Sequence, residues 1–214
     1  VLLATCASMV SGVVRVTCIG DSITSGGACV PESYVDSLQQ YLGEGYEVLN
    51  AGVSSMTQLK KGLCNDNSPC SYWDTSAWQT ALGSNPDIVT IMLGTNDAKF
   101  LNWEGIQQSE GDYYALDYVD MIRSLRRLRP VPRVFLLVPP PLYDPYPFDM
   151  NATIINSIYP SLIRDISAVM DTELIDVFSA FNSSELSCDA CHPTAQGNEV
   201  IANEIYQSIV ASGL

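Results

Sequence analysis

Short runs of Val, Ile and Leu recur along this chain, each bounded by Gly, Pro or a polar turn, with amphipathic stretches between them. Val13–Ile19, Tyr46–Leu49, Ile88–Leu93, Val134–Val138 and Leu174–Val177 read as strands. Ile88–Leu93 is almost wholly apolar, as a strand covered on both faces must be. Tyr34–Leu42, Tyr113–Leu128, Ile154–Met170 and Thr194–Val210 carry helical periodicity. Their expected buried stripes are Tyr34, Val35, Leu38, Tyr41 and Leu42; Ala115, Tyr118, Val119, Ile122 and Leu125; Ile155, Ile158, Leu162, Ile166 and Val169; and Ile201, Ile205 and Ile209. Strand–helix alternation predicts a parallel sheet with helices on both faces, an α/β chain whose functional groups gather at the carboxyl ends of the strands. No repeat or linker divides the 214 residues, so one domain over 1–214 is expected.

The formal charge is −14, with 24 acidic against 10 basic residues. Such a surface repels phosphate backbones, anionic lipid and polyanionic substrates, which speaks against a nucleic-acid partner. No apolar run reaches the roughly 18 residues that span a bilayer, so no stable membrane insertion is expected. Arg123, Arg126, Arg127, Arg129 and Arg133 cluster at the end of one helix, and read either as an anion site or as solvated cations that complement the helix dipole, the second being favoured. Residues 1–12 are apolar with small side chains, and read either as the tail of a secretory leader or as an extension of the domain.

The chain has seven cysteines and two sequons, Asn151-Ala152-Thr153 and Asn182-Ser183-Ser184. Together they point to an oxidising, extracellular compartment and a glycoprotein. Cys64/Cys70 and Cys188/Cys191 are close pairs in loop-like sequence. Cys188 and Cys191 are expected to bridge, stiffening a loop while adding little global stability because the ring is small. Seven is odd, and Cys18, inside the first apolar run, is the candidate for a free buried thiol.

Four segments fall at or beyond strand ends: Gly20-Asp21-Ser22-Ile23-Thr24, Asn50-Ala51-Gly52, Gly94-Thr95-Asn96-Asp97 and Asp189-Ala190-Cys191-His192-Pro193. Singly each is ordinary turn chemistry. Jointly they supply the parts of acyl transfer: a nucleophile with a base, and donors for a developing oxyanion. Ser22 lies on a glycine-led turn. His192 is the chain's one histidine, so the one side chain whose ordinary pKa suits base catalysis near neutrality. Asp189, three residues earlier, can hold its tautomer. The Ser22 N–H, the Gly52 N–H and the Asn96 amide make a three-donor oxyanion hole.

This set resembles the SGNH-hydrolase, or GDSL-type esterase/lipase, superfamily. Gly20–Thr24 is similar to its first block, with Ile23 where the family name has Leu; Gly52, Gly94–Asp97 and Asp189–His192 are similar to its later blocks. The resemblance spans residues 13 to 210. It implies a flavodoxin-like three-layer α/β/α sandwich on a five-stranded parallel sheet. It also implies a serine esterase of small acyl esters, working without metal or organic cofactor. The roles implied are Ser22 nucleophile, His192 base, Asp189 orienter, and Gly52 and Asn96 oxyanion donors.

Pro139–Met150 follows a strand and should overhang the cleft. Trp103, Tyr143 and Tyr146 are candidate substrate contacts, with Phe100 and Phe148 nearby. A monomeric carbohydrate O-acyl (acetyl) esterase is the favoured reading. A lysophospholipase or thioesterase would need a long apolar groove; a binding module that kept the fold would ignore fluorophosphonate; a nucleotide- or flavin-binding chain would want a glycine-rich phosphate loop, which the turn after the first strand lacks.

Overall fold

The apolar runs form five strands in the computed structural model, which describes residues 12–107 and 113–213. They are β1 (Val14–Gly20), β2 (Tyr46–Gly52), β3 (Ile88–Met92), β4 (Arg133–Val138) and β5 (Glu173–Asp176). The order is β2-β1-β3-β4-β5, and every neighbouring pair is parallel. Among the described residues seven α-helices accompany them: α1 (Ser22–Ser25), α2 (Tyr34–Leu42), α3 (Ser76–Gly83), α4 (Tyr113–Leu125), α5 (Tyr159–Val169), α6 (Val177–Ala180) and α7 (Ala195–Ala211). This is the expected flavodoxin-like α/β/α sandwich.

Alternation along the strands divides the core. On β4, Val134, Leu136 and Val138 face a cluster with Trp78 of α3, Tyr118 and Ile122 of α4, and Ile163 of α5. Phe135 and Leu137 face the other way, toward Leu38 of α2 and Ile201, Ile205 and Ile209 of α7. Leu38 is fully buried, so Leu38→Ala would cost about 2–5 kcal/mol. α2 starts where Ser33 and Asp36 form a capping box, and stops at Gly43, whose φ is 72°. Arg126 and Arg129 spend their guanidiniums on carbonyls at helix ends, Met170 and Asp171 for one and Leu128 for the other, as the dipole argument expects.

The stripe expected of Ile154–Met170 is displaced. The helix opens with a π-helical turn, Ile154–Ile158, before α5 proper. A π turn holds an extra residue, which rotates everything after it. The buried face becomes Ile155, Tyr159, Ile163 and Ile166, and Val169 is 79% exposed. In α4, Tyr114 and Met121 are buried where Ala115 and Val119 are only partly so. Residues 1–11, with Cys6, lie outside the described residues.

β1 lies between β2 and β3, and the chain leaves it toward β2 across the α2 face and leaves β2 toward β3 across the α3 face. The carboxyl ends of β1 and β3 therefore flank the crevice in which such sheets place ligands. Ser22 follows β1 and Asn96 follows β3.

Candidate active site

Ser22 is the first helical residue of α1. Asp21 caps that turn, its Oδ1 accepting the Ile23 N–H at 3.0 Å. Asp21 is wholly buried, and burial pushes its pKa up to about 6, against the Ile23 N–H and the nearby His192 and Lys99. The cap fixes the direction of Ser22, whose Oγ lies 2.9 Å from His192 Nε2. His192 Nδ1 lies 2.7 Å from Asp189 Oδ2. The three groups thus form one hydrogen-bonded line.

The loop carrying His192 is closed on itself. Ser187 and Pro193 form a bridge, and the His192 carbonyl accepts the Cys188 N–H at 3.0 Å and the Ser187 hydroxyl at 3.0 Å. Asp189 Oδ1 accepts the Cys191 and His192 N–H groups at 3.1 and 2.7 Å. Burial, the largest single influence on Asp189, raises its pKa, but the His192 N–H, the imidazole and the Cys191 N–H together hold it below the ordinary value. Asp189 is therefore an anion facing the ring.

The expected Cys188–Cys191 bridge does not form. Cys188 bonds to Cys29, in the loop after α1, and Cys64 bonds to Cys70. Cys191 is a buried thiol packed in the core cluster on the α3, α4 and α5 face. Burial pushes it far above the ordinary thiol value, so it is inert. Cys18 is also free and buried, as expected; burial pushes its thiol up to about 12. Among the described residues, the one donor cluster with metal-binding spacing is Cys29, Cys188 and Asp189. Its two sulfurs are spent in the disulfide, so no thiolate is available there.

The line opens on a cavity of about 290 Å3 walled by Gly26, Gly27, Ser54, Ser55, Asn96, Lys99, Phe148 and Met150. Asn96 is buried and donates one amide hydrogen to Met56 O at 3.2 Å, which leaves its second hydrogen for the cavity. Asn102 braces it from behind, donating to the Asn96 carbonyl at 3.0 Å. Asp97 turns away from the cavity. Its carboxylate oxygens take the Gln58 and Leu59 N–H groups at 2.9 and 2.8 Å, pinning the loop after β2 against the end of β3. Burial pushes Asp97 up to about 7 despite those donors.

Gly52 is not the donor the sequence suggested. Its N–H already donates to Asn50 Oδ1 at 2.9 Å, and it does not line the cavity. A Cβ there would stand 2.3 Å from the Ser25 nitrogen. Gly52 is a glycine because α1 packs directly on it. Three residues later Ser55 does line the cavity, in a left-handed conformation with φ 69°. Its N–H has no acceptor among the described residues. Nothing in the sequence marks Ser55, because a serine at positive φ carries no residue-type signature.

The three rim candidates separate. Trp103 is 7% exposed and packs against Tyr114 and Tyr159. Tyr143 braces the base loop instead: its N–H donates to Ala190 O at 3.0 Å and its hydroxyl to Phe181 O at 2.8 Å. Tyr146 lines a second cavity beside the first. Phe148, an aromatic of the same segment, packs edge-on to the His192 ring with centroids 5.6 Å apart.

A serine, an imidazole and a carboxylate arranged so, at the carboxyl end of a doubly wound sheet, put the molecule among the serine hydrolases. Within them it belongs to the GDSL-like lipase/acylhydrolase family, whose model matches residues 18–200. It is 30% identical over 218 residues to an acetylxylan esterase of Xylanibacter ruminicola, covering 92% of this chain and 43% of that protein. The chain thus spans less than half the length of that curated relative. Its fold matches the crystal structure of a carbohydrate acetylesterase from Sinorhizobium meliloti, with TM-score 0.75 and 23% identity over 92% of this chain and 99% of that one. It also matches an inhibitor-bound aryl esterase of M. smegmatis, with TM-score 0.74 and 20% identity over 92% and 99% of the two chains.

Proposed function

We propose that this chain is a carbohydrate O-acetyl esterase that works through an acyl-enzyme. The observation that carries the reading is the Ser22–His192–Asp189 line, 2.9 and 2.7 Å, opening on a cavity that also holds Asn96. His192 Nε2 takes the Ser22 proton as Oγ attacks the ester carbonyl carbon. The carbonyl oxygen becomes an oxyanion, met by the Ser22 N–H, the Ser55 N–H and the Asn96 amide. On collapse, His192 gives its proton to the departing sugar hydroxyl, leaving Ser22 acetylated. Water then attacks, losing its proton to His192, and acetate leaves as Ser22 is restored. Asp189 holds the tautomer that keeps Nε2 free to accept, and balances the imidazolium.

Three things support a short acyl group on a sugar. The cavity is about 290 Å3, at the small end for a ligand site. Lys99 lies in its wall beside Met150 and Phe148, an unfavourable lining for a long alkyl chain. The relative named above is an acetylxylan esterase. Secretion goes with this reading, supported by two disulfides.

The test is acetate release from acetylated xylo-oligosaccharides, run beside nitrophenyl esters of acetyl, butyryl and octanoyl groups. Acetyl should be preferred, and Ser22→Ala should lose about 10³-fold or more in kcat with its fold intact. Preference for octanoyl would transfer the chain to the lipase or thioesterase reading.

A further inference from the structure

A second cavity, about 470 Å3, lies beside the catalytic one. The partition is a short antiparallel contact: Lys99 bridges Met150, and the Phe100 N–H donates to Asp149 O at 3.1 Å. Successive residues on such a ladder point to opposite sides. Lys99 and Phe148 line the catalytic cavity, Phe100 and Asp149 the second, and Met150 reaches both. Phe148 and Asp149 are consecutive non-glycine residues with φ of 60° and 56°. Two left-handed residues in a row are costly, and such outliers concentrate at functional sites. The kink sends Phe148 toward His192 and Asp149 the other way.

The exposed aromatics gather here. Among the described residues, four of the exposed large hydrophobic side chains are aromatic: Tyr41, Phe100, Tyr146 and Phe148. Tyr41 is on α2, its hydroxyl donating to Glu199. The other three, 49%, 54% and 45% exposed, surround the two cavities. Exposed aromatic faces beside a cavity mark a binding surface. The second cavity is also lined by Asp149, Thr153 and Ser157. A sugar ring has an apolar C–H face for the aromatics and hydroxyl donors for the carboxylate. The carboxylate and the charge of −14 disfavour an anionic sugar.

We propose that the second cavity is a subsite for a neutral sugar unit adjoining the acetylated one, with Phe100 and Tyr146 as its platform. This rests on the carbohydrate-esterase reading. Phe148, between the cavities, is the rim over which the saccharide passes.

The test is a Phe100→Ala, Tyr146→Ala double variant, assayed on nitrophenyl acetate, acetylated xylose and acetylated xylotriose. The first two should stay within about twofold of wild type, while kcat/KM on xylotriose falls about tenfold through KM. Binding of unacetylated xylotriose to Ser22→Ala, by calorimetry, should likewise be lost when the two aromatic changes are added. Unchanged xylotriose hydrolysis, or equal loss on all three substrates, overturns the subsite and leaves the function standing. Tighter binding of a uronate-bearing oligosaccharide overturns its neutral character. Should nitrophenyl acetate be turned over and no sugar ester be, the functional reading falls; aromatic-dependent xylotriose binding in that case still supports the subsite, and no binding overturns it.

Discussion

Cys29 and Cys188, 159 positions apart in sequence, are covalently joined, so the turn after the nucleophile and the loop of the base form one unit. The bond adjoins Asp189, and the Cys29 sulfur lies 3.3 Å from the His192 carbonyl oxygen. The distance between Ser22 Oγ and His192 Nε2 is thus held from two sides, by the sheet below and by this bridge at the rim.

The bridge should matter for stability as well as rate. In the chain-entropy account a crosslink closing so long a loop is worth about 5 kcal/mol, at the top of the 2–5 range found for native bridges. A Cys29→Ser, Cys188→Ser variant is expected to melt roughly 10 °C lower and to turn over more slowly. Removing Cys64–Cys70, which closes a separation of 6, should cost about 2 kcal/mol or less. Calorimetry and nitrophenyl acetate turnover of both double variants would check this; equal melting shifts would contradict it.

Ser55 is expected to act through its main chain. Ser55→Gly keeps the N–H and removes the penalty of a side chain at φ 69°. Turnover should stay within about threefold of wild type, with stability raised by about 1 kcal/mol. A hundredfold loss of kcat in this variant would show that the hydroxyl, not the N–H, does the work.

Five strands, their parallel pairing and the two-sided helical cover were legible because periodicity and apolar runs are local properties. So was the meeting of Ser22, Asn96, Asp189 and His192: Ser22 and Asn96 follow β1 and β3, and the loop of Asp189 and His192, beyond β5 and α6, returns to Ser22. What escaped depends on tertiary packing. The π turn at Ile154–Ile158 leaves no residue-type mark, yet it moved the buried face from Leu162 and Val169 to Tyr159 and Ile163. Cys188 has a near neighbour in sequence, Cys191, but in space the partner is Cys29. Gly52 suggested a backbone approached by ligand, and the backbone that approaches is α1.

Asp21 gives the protein a pH dependence of stability. Its pKa in the unfolded chain is near 3.9; burial raises the folded value to about 6. The folded state binds the proton more tightly, so the associated stability is fully present below about 4 and is lost as pH rises through about 6. The share is on the order of 3 kcal/mol. Asp97, raised to about 7, acts in the same direction up to that pH. Urea unfolding across this range should show wild-type stability declining, and Asp21→Asn, which keeps the cap to Ile23, should decline less. An unchanged slope in Asp21→Asn would remove Asp21 from the account.

Asp189 does two separable jobs, and two substitutions should part them. Oδ1 accepts the Cys191 and His192 N–H groups and so shapes the loop; Oδ2 faces His192 Nδ1. Asp189→Asn keeps an oxygen for the loop and sets an amide donor against the ring. That donor favours hydrogen on Nε2, where the imidazole cannot accept the Ser22 proton. The expected result is a fall in kcat of up to about 10⁴-fold, as the same exchange causes in another serine hydrolase, with little change in melting temperature. Asp189→Ala removes the loop acceptor too, leaving two N–H groups unpaired at about 1–3 kcal/mol each where water does not reach them. It should lose stability as well as rate. Paired measurements of kcat and melting temperature decide the matter: if Asp189→Asn retains turnover near wild type, His192 holds its tautomer without Asp189, and the carboxylate serves the loop alone.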